Sequence, residues 1–310
     1  MAFEIKRYPE WSFSQSREQM FQECLRKYYY HYYASHNGWL VELATPLQMK
    51  AYRLKQMTNL YLLFGTAVHR ACEHVIDQWV THNVLPTLTT LHDGVRLMLN
   101  RAYVQSLDQQ LWKKQPKRQN MLVEMYYDGG IRQEKIDRIK ERQHSCLENL
   151  LASRTLSELT KSNEMKVVER EKMNTMLVDE TKVYVKIDLL YRRDWENVVI
   201  VDWKTGRVNG SDDEQLFLYA LYVHENYSVP FENMELRTEY LLSGKSRSID
   251  VTAQQIEEVK DHIKQSVAEM KGLLADEYWN RPKEMSQFTP QPSQRTCRYC
   301  NFREICDDAI

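Results

Sequence analysis

The run VVIVDWKTG, starting at Val198, constrains this chain more than any other stretch. Its β-branched residues favour an extended backbone. Period-two alternation puts Val198, Ile200, Asp202 and Lys204 on one face and Val199, Val201 and Trp203 on the other. Both faces are largely apolar, which predicts a central strand covered on both sides. A charged pair at the end of such a strand is costly unless a cation or a partner compensates it. A preceding run, KVYVKIDLLYR, carries Asp188 between Ile187 and Leu189. Two carboxylates at neighbouring strand ends form a hard oxygen pocket suited to Mg²⁺ or Mn²⁺.

The rest of the chain supplies what would cover that strand. Few glycines punctuate it, so long elements are expected. Ser12 followed by Gln15 fits a capping box opening a helix through about Ala34, and Phe64 to Val80 reads as another helix. Two or three more are expected between Leu88 and Leu159, with breaks near Gln115-Pro116 and Asp128-Gly129-Gly130. From Met165 the texture turns to strands: MKVVERE, the Asp188 run and the Asp202 run. A helix from Asp212 to about Glu225, a strand pair in LRTEYLLSGKSRSIDVT and a helix from Ala253 to Ala275 complete an α/β pattern. The tail, rich in Pro, Gln and Cys, reads as a loop tied down by something other than packing.

Lys+Arg of 42 against Asp+Glu of 43 excludes a protein that coats nucleic acid through bulk charge, so any nucleic-acid site must be local. The densest basic patch is Lys113, Lys114, Lys117 and Arg118, a pattern that is most often a solvated helix end. The N-terminal sequence lacks the apolar centre of a signal peptide, and no stretch is apolar enough to span a membrane. The expectation is a cytoplasmic protein with no membrane partner, whose six cysteines serve something other than disulfides.

Phosphodiester hydrolysis suits the Asp188, Asp202 and Lys204 arrangement: a cation polarises the phosphate while a lysine orients the nucleophile. A lone D-x-K triplet is ordinarily a strand-end ion pair. Three further residues stand around it: His69 in FGTAVHRACEH, and Gln215 and Tyr219, which share a helix face four residues apart.

In this order, a histidine helix, an Asp strand, a D-x-K strand and a Q-x-x-x-Y helix, the segments resemble the RecB-like branch of the PD-(D/E)XK nucleases. The resemblance implies a restriction-endonuclease-like central mixed sheet flanked by helices, with a large helical insertion. It implies His69, Asp188, Asp202 and the Trp203 carbonyl as Mg²⁺ or Mn²⁺ ligands and Lys204 as the catalytic lysine. Gln215 and Tyr219 would position DNA or the lysine. The chain departs from the pattern at Val185, where a glycine often lies, and carries Asp202 where Glu is commoner.

Cys297, Cys300 and Cys306 form a C-x2-C-x5-C run, one thiolate short of a tetrahedral metal site, and by spacing alone zinc fits as well as an iron-sulfur cluster. The resemblance supplies Cys24 as the fourth ligand of a [4Fe-4S] cluster, as in the CRISPR-adaptation exonucleases and AddB subunits, although Leu25 replaces a frequent proline. Such a cluster would clasp both ends of the chain. Cys72 and Cys146 read as small apolar residues. The tyrosines Tyr28, Tyr29, Tyr30, Tyr32 and Tyr33 read as packing rather than as a base-stacking platform.

The expected organisation is N-terminal helices with the cluster cysteine and histidine motif over residues 1–75, a helical insertion over 76–164, a nuclease core over 165–280 and a cysteine tail over 281–310. The expected activity is metal-dependent hydrolysis of DNA, by an exonuclease acting on single strands or strand ends. The competing reading is an inactive nucleic-acid-binding or scaffold module of the same fold with a structural zinc or iron-sulfur site. No Walker A motif is present, and helicase, CRISPR or repair proteins stay open as partners.

Overall fold

A computed structural model describes residues 5–161, 165–207 and 212–310. The ends of the expected stretches 1–75 and 76–164, at residues 1–4 and 162–164, lie outside those described.

Among the described residues nine helices come first: α1 (Gln15–Glu23), α2 (Leu25–Tyr29), α3 (Pro46–Lys55), α4 (Leu60–His82), α5 (Leu88–Ser106), α6 (Gln109–Lys114), α7 (Val123–Tyr127), α8 (Gln133–Leu151) and α9 (Arg154–Lys161). Strands β1 (Lys166–Arg170), β2 (Met173–Val178), β3 (Thr181–Lys186), β4 (Leu189–Arg192) and β5 (Val198–Lys204) follow. Then come α10 (Asp212–Tyr227), β6 (Met234–Tyr240), β7 (Lys245–Ile249), α11 (Ala253–Lys271), β8 (Leu274–Asp276), β9 (Arg281–Pro282) and α12 (Gln294–Arg298). No helix among the described residues is long and apolar enough to cross a membrane.

The chain forms two compact units, one of residues 1–60, 101–130 and 263–310, the other of residues 61–100 and 131–262. The second unit is built on a five-stranded mixed sheet in the order β1-β4-β5-β6-β7. β5 lies antiparallel to β4 and parallel to β6, which makes it the central strand that its two apolar faces require. The expected α/β class, a mixed sheet flanked by helices as in restriction-endonuclease-like folds, is what the chain adopts.

Each face of β5 meets a different helix. On the Trp203 face, the Trp203 indole donates to Glu239, whose other oxygen accepts from the Thr155 backbone N–H and hydroxyl of α9, both at 2.9 Å. Arg237, fully buried on β6, donates to Glu158 of α9 at 3.0 Å and to the Tyr191 hydroxyl at 3.0 Å. On the Asp202 face, α10 reaches Lys204 through Gln215 and Tyr240 through Asp212. β2 and β3 form a separate hairpin whose register is regular along its length.

The first unit packs around aromatic side chains. Tyr28, Tyr30 and Tyr33 are buried with Phe288 and Phe302, and Arg17 donates to the Tyr28 hydroxyl at 2.7 Å while lying over the Tyr32 ring. The tyrosine run is therefore core, as its helical spacing suggested.

Local boundaries differ from expectation in four places. The first helix is capped by Ser14, not Ser12: its hydroxyl accepts from the Arg17 N–H at 3.2 Å. That helix does not continue to Ala34, because Cys24 is extended (φ −168°, ψ 117°), and a π-helical turn occupies Tyr30–Ala34. Five helices, not two or three, fill the stretch from Leu88 to Lys161, because the short side chains of Asp108 and Ser153 cap new starts. α11 ends at Lys271 rather than Ala275, and Leu274–Asp276 pairs with β9.

Candidate metal centre

All the acidic, histidine and lysine candidates lie in the second unit. The Asp188 run bends at Ile187-Asp188, so β3 leaves one hairpin and β4 enters the main sheet. Leu189 pairs with Val201, which places Asp188 across from Asp202 at the edge of the ladder. Asp188 Oδ2 accepts from the Trp203 backbone N–H at 2.8 Å, tying the bend to the strand that carries Asp202. Both aspartates are buried.

The expected set His69, Asp188, Asp202 and Trp203 comes together only in part as a ligand cluster. The ligand atoms that converge are those of His69, Asp188 and a residue sequence reasoning did not single out, Glu171, all within 4.8 Å of one another. His69 Nδ1 on α4 lies 3.1 Å from Glu171 Oε1 and 3.3 Å from Asp188 Oδ1. Glu171 follows β1 and adopts φ 48°, a left-handed conformation uncommon for a side chain of its size. Its N–H donates to the Ile187 and Asp188 carbonyls at 2.9 and 3.2 Å, pinning it beside the bend. Lys186 forms an ion pair with its other oxygen.

Alternation in MKVVERE puts Glu169 and Glu171 on one face, and nothing local separates them. Glu169 instead accepts from the Tyr222 and Tyr227 hydroxyls at 3.0 and 2.7 Å.

Asp202 is only 2% exposed and makes a different set of contacts. Its Oδ2 pairs with the Lys204 ammonium at 2.9 Å and has no further polar partner among the described residues. Burial, then the charge of Asp188, raises its pKa to about 6 against the opposing pull of Lys204. For His69, burial disfavours the charged form, but Asp188 and Glu171 outweigh it and push the pKa up to about 10. Lys204 Nζ also donates to Gln215 Oε1 at 2.6 Å, and Gln215 Nε2 donates to the Tyr219 hydroxyl. Lys204, Gln215 and Tyr219 thus form a relay leading away from Asp202.

This donor set fits a hard divalent cation. Three carboxylates and an imidazole are the ligand types Mg²⁺ and Mn²⁺ accept, and the buried repulsion between Asp188 and Asp202, which Lys204 only partly offsets, is the kind a divalent cation relieves.

Cys24, Cys297, Cys300 and Cys306 lie in the first unit and line one small pocket together. The extended backbone at Cys24 brings that helix break to the tail: the Gln291 N–H points at Cys24 Sγ at 3.5 Å, and the Phe302 N–H at Cys300 Sγ at 3.4 Å. Burial pushes the Cys300 thiol up to about 11. Among the described residues no three cysteine sulfurs fall within 4.8 Å of one another. Cys72 and Cys146 are buried elsewhere, in α4 and α8.

No curated protein matches the chain. A solved structure described as "Crystal structure of SSO0001" resembles it at TM-score 0.28 and 17% identity, covering 57% of this chain and 80% of that one. The family model of the PD-(D/E)XK nuclease superfamily matches residues 12–307, a span that contains every acidic, lysine and cysteine candidate above. The chain belongs to the PD-(D/E)XK nuclease superfamily.

Proposed function

We propose that this chain is a Mg²⁺- or Mn²⁺-dependent deoxyribonuclease of the RecB-like subtype that hydrolyses DNA as an exonuclease, on single strands or strand ends. The observation that carries the reading is the meeting of His69, Glu171 and Asp188, together with a buried Asp202 whose pKa burial and Asp188 raise.

His69, Glu171, Asp188 and Asp202, with the Trp203 carbonyl, hold the cation. The bound cation supplies Lewis-acid polarisation of the scissile phosphate. Asp188 orients the strand end through the Trp203 N–H. Lys204, steered by Gln215 and Asp202, orients the attacking water and balances charge on the phosphate oxygens. Tyr219 fixes the Gln215 amide so that its carbonyl faces the lysine.

The test is incubation of the purified chain with single-stranded, blunt, gapped and circular DNA labelled at either end, with Mg²⁺, Mn²⁺ or EDTA. Metal-dependent shortening of linear substrates that spares circles is expected. No cleavage of any substrate by the parent, with Lys204→Ala binding DNA equally well, would establish the scaffold reading instead.

Cys24, Cys297, Cys300 and Cys306 hold a [4Fe-4S] cluster that clasps the two chain ends in the first unit. The lining of one pocket by all four cysteines supports this reading. Iron and acid-labile sulfide assays on anaerobically purified protein check it; stoichiometric zinc without iron would replace the cluster with a zinc site.

A further inference from the structure

The first unit contains a groove of about 360 Å³, within the range of about 300–1,000 Å³ typical of ligand clefts. One wall is the end of α6 and the turn after it, with Lys113, Lys114, Lys117 and Arg118; α3 adds Arg53. The other wall carries Trp39, which is 37% exposed and packs on Tyr52 with ring centroids 5.6 Å apart.

Two observations separate this groove from an ordinary solvated patch. None of the five cations has a carboxylate within ion-pair distance among the described residues, although the chain as a whole carries balanced charge. Lys117 lies instead over the Trp39 ring, 5.9 Å from its centroid. The excess positive field is felt nearby: Lys55 is lowered to about 8, first by burial and then by Lys117 and Arg17.

The second observation is that Trp39 is held in place rather than loosely displayed. A Cβ on Gly38 would lie 2.2 Å from the Gln48 carbonyl oxygen and 2.5 Å from Tyr52 Cβ. Glycine is therefore required for the loop to approach α3 closely enough to seat the indole on Tyr52. A fixed, half-exposed indole beside a row of unpaired cations is the combination that binds unpaired nucleotides, through base stacking and backbone charge.

We propose that this groove binds a single-stranded nucleic acid, with Lys114, Lys117 and Arg118 on successive phosphates and a base stacked on Trp39. The inference deepens the nuclease reading and rests on it for the class of polymer. A duplex hides its base faces, so it cannot use the indole, and an acidic peptide has no face to stack.

The test is fluorescence anisotropy of a labelled oligothymidylate titrated with the full chain in EDTA over a series of salt concentrations. Lys114→Glu/Lys117→Glu weakens binding at least tenfold and flattens the slope of log K against log salt by about 1.4, or about 0.7 per lost phosphate contact. Trp39→Ala weakens it by about 5- to 150-fold with the slope unchanged, and Trp39→Phe restores most of the loss. Unchanged thermal unfolding certifies that the variants are folded.

Parent-like affinity in both the charge-reversed and the Trp39→Ala variants overturns the proposal. So does a blunt duplex or polyglutamate competing as well as the oligonucleotide. Cleavage by the parent in Mg²⁺ with unaltered binding by the groove variants defeats the groove alone. Groove-dependent binding without cleavage defeats the nuclease reading alone.

Discussion

At Glu169 and Glu171 two identical side chains, two positions apart and assigned by sequence alternation to one face, have different surroundings. Glu169 is satisfied by two tyrosine hydroxyls, whereas Glu171 turns through a left-handed backbone toward His69 and Asp188. Glu171→Gln is expected to weaken Mn²⁺ binding by at least about tenfold, the lower end of what loss of even a supporting group does at a metal site. Glu169→Gln should leave Mn²⁺ affinity unchanged and lower the melting temperature. Isothermal titration and thermal unfolding of both variants check the pair, and equal Mn²⁺ affinities would remove Glu171 from the centre. Lys204→Ala should reduce cleavage by about 10²- to 10³-fold, the usual loss for one charge-stabilising donor, while DNA affinity in EDTA stays within threefold of the parent.

The docking of α9 on the sheet joins the buried Leu156 and Leu159 to an ionic network centred on the buried Arg237. Arg237 is fully buried and bonds Glu158, Glu235 and Tyr191. Replacing it with Leu strands the carboxylates and should destabilise the chain by about 3–5 kcal/mol, measured by urea unfolding.

Burial would raise the Glu158 pKa, but hydrogen bonds from Tyr191, Arg237 and Arg193 outweigh it and lower the pKa from 4.5 to about 2. Between these values the unfolded chain binds the proton and the folded chain does not. The contribution of Glu158 is therefore complete above about pH 4.5 and is lost as pH falls toward 2. The acid limb of the stability profile should flatten in Glu158→Gln over that window, and an unchanged limb would place the acid sensitivity elsewhere.

Across the whole molecule, the proposed metal centre and the proposed cluster fall in different compact units. The cluster cysteines come from Cys24 and from the last fourteen residues, so removing one should loosen the unit that contains both chain ends. Cys300→Ser is expected to abolish iron incorporation and to lower the first calorimetric transition. If a separate transition for the second unit persists, Mn²⁺ should still raise it; loss of iron with both transitions intact would show that the cluster does not hold the chain ends.

Much of this was legible in the order of residues because apolar periodicity and special side chains are local signals. The two-faced run at Val198 determined a central strand, and the four-residue spacing of Gln215 and Tyr219 determined a shared helix face. The C-x2-C-x5-C run determined a group of closely spaced cysteines at the tail. What tertiary structure decided is what no local pattern encodes. β2 went unread because MNTMLV lacks a clean polar-apolar alternation, and its pairing with β3 comes from the turn between them. The helix break at Cys24 arises where the tail meets it, more than 260 residues away in sequence. Glu171 rather than Glu169 joins His69 because a single backbone reversal and the carbonyls of a distant bend aim it there, and long-range contacts of that kind exist only after the chain has folded.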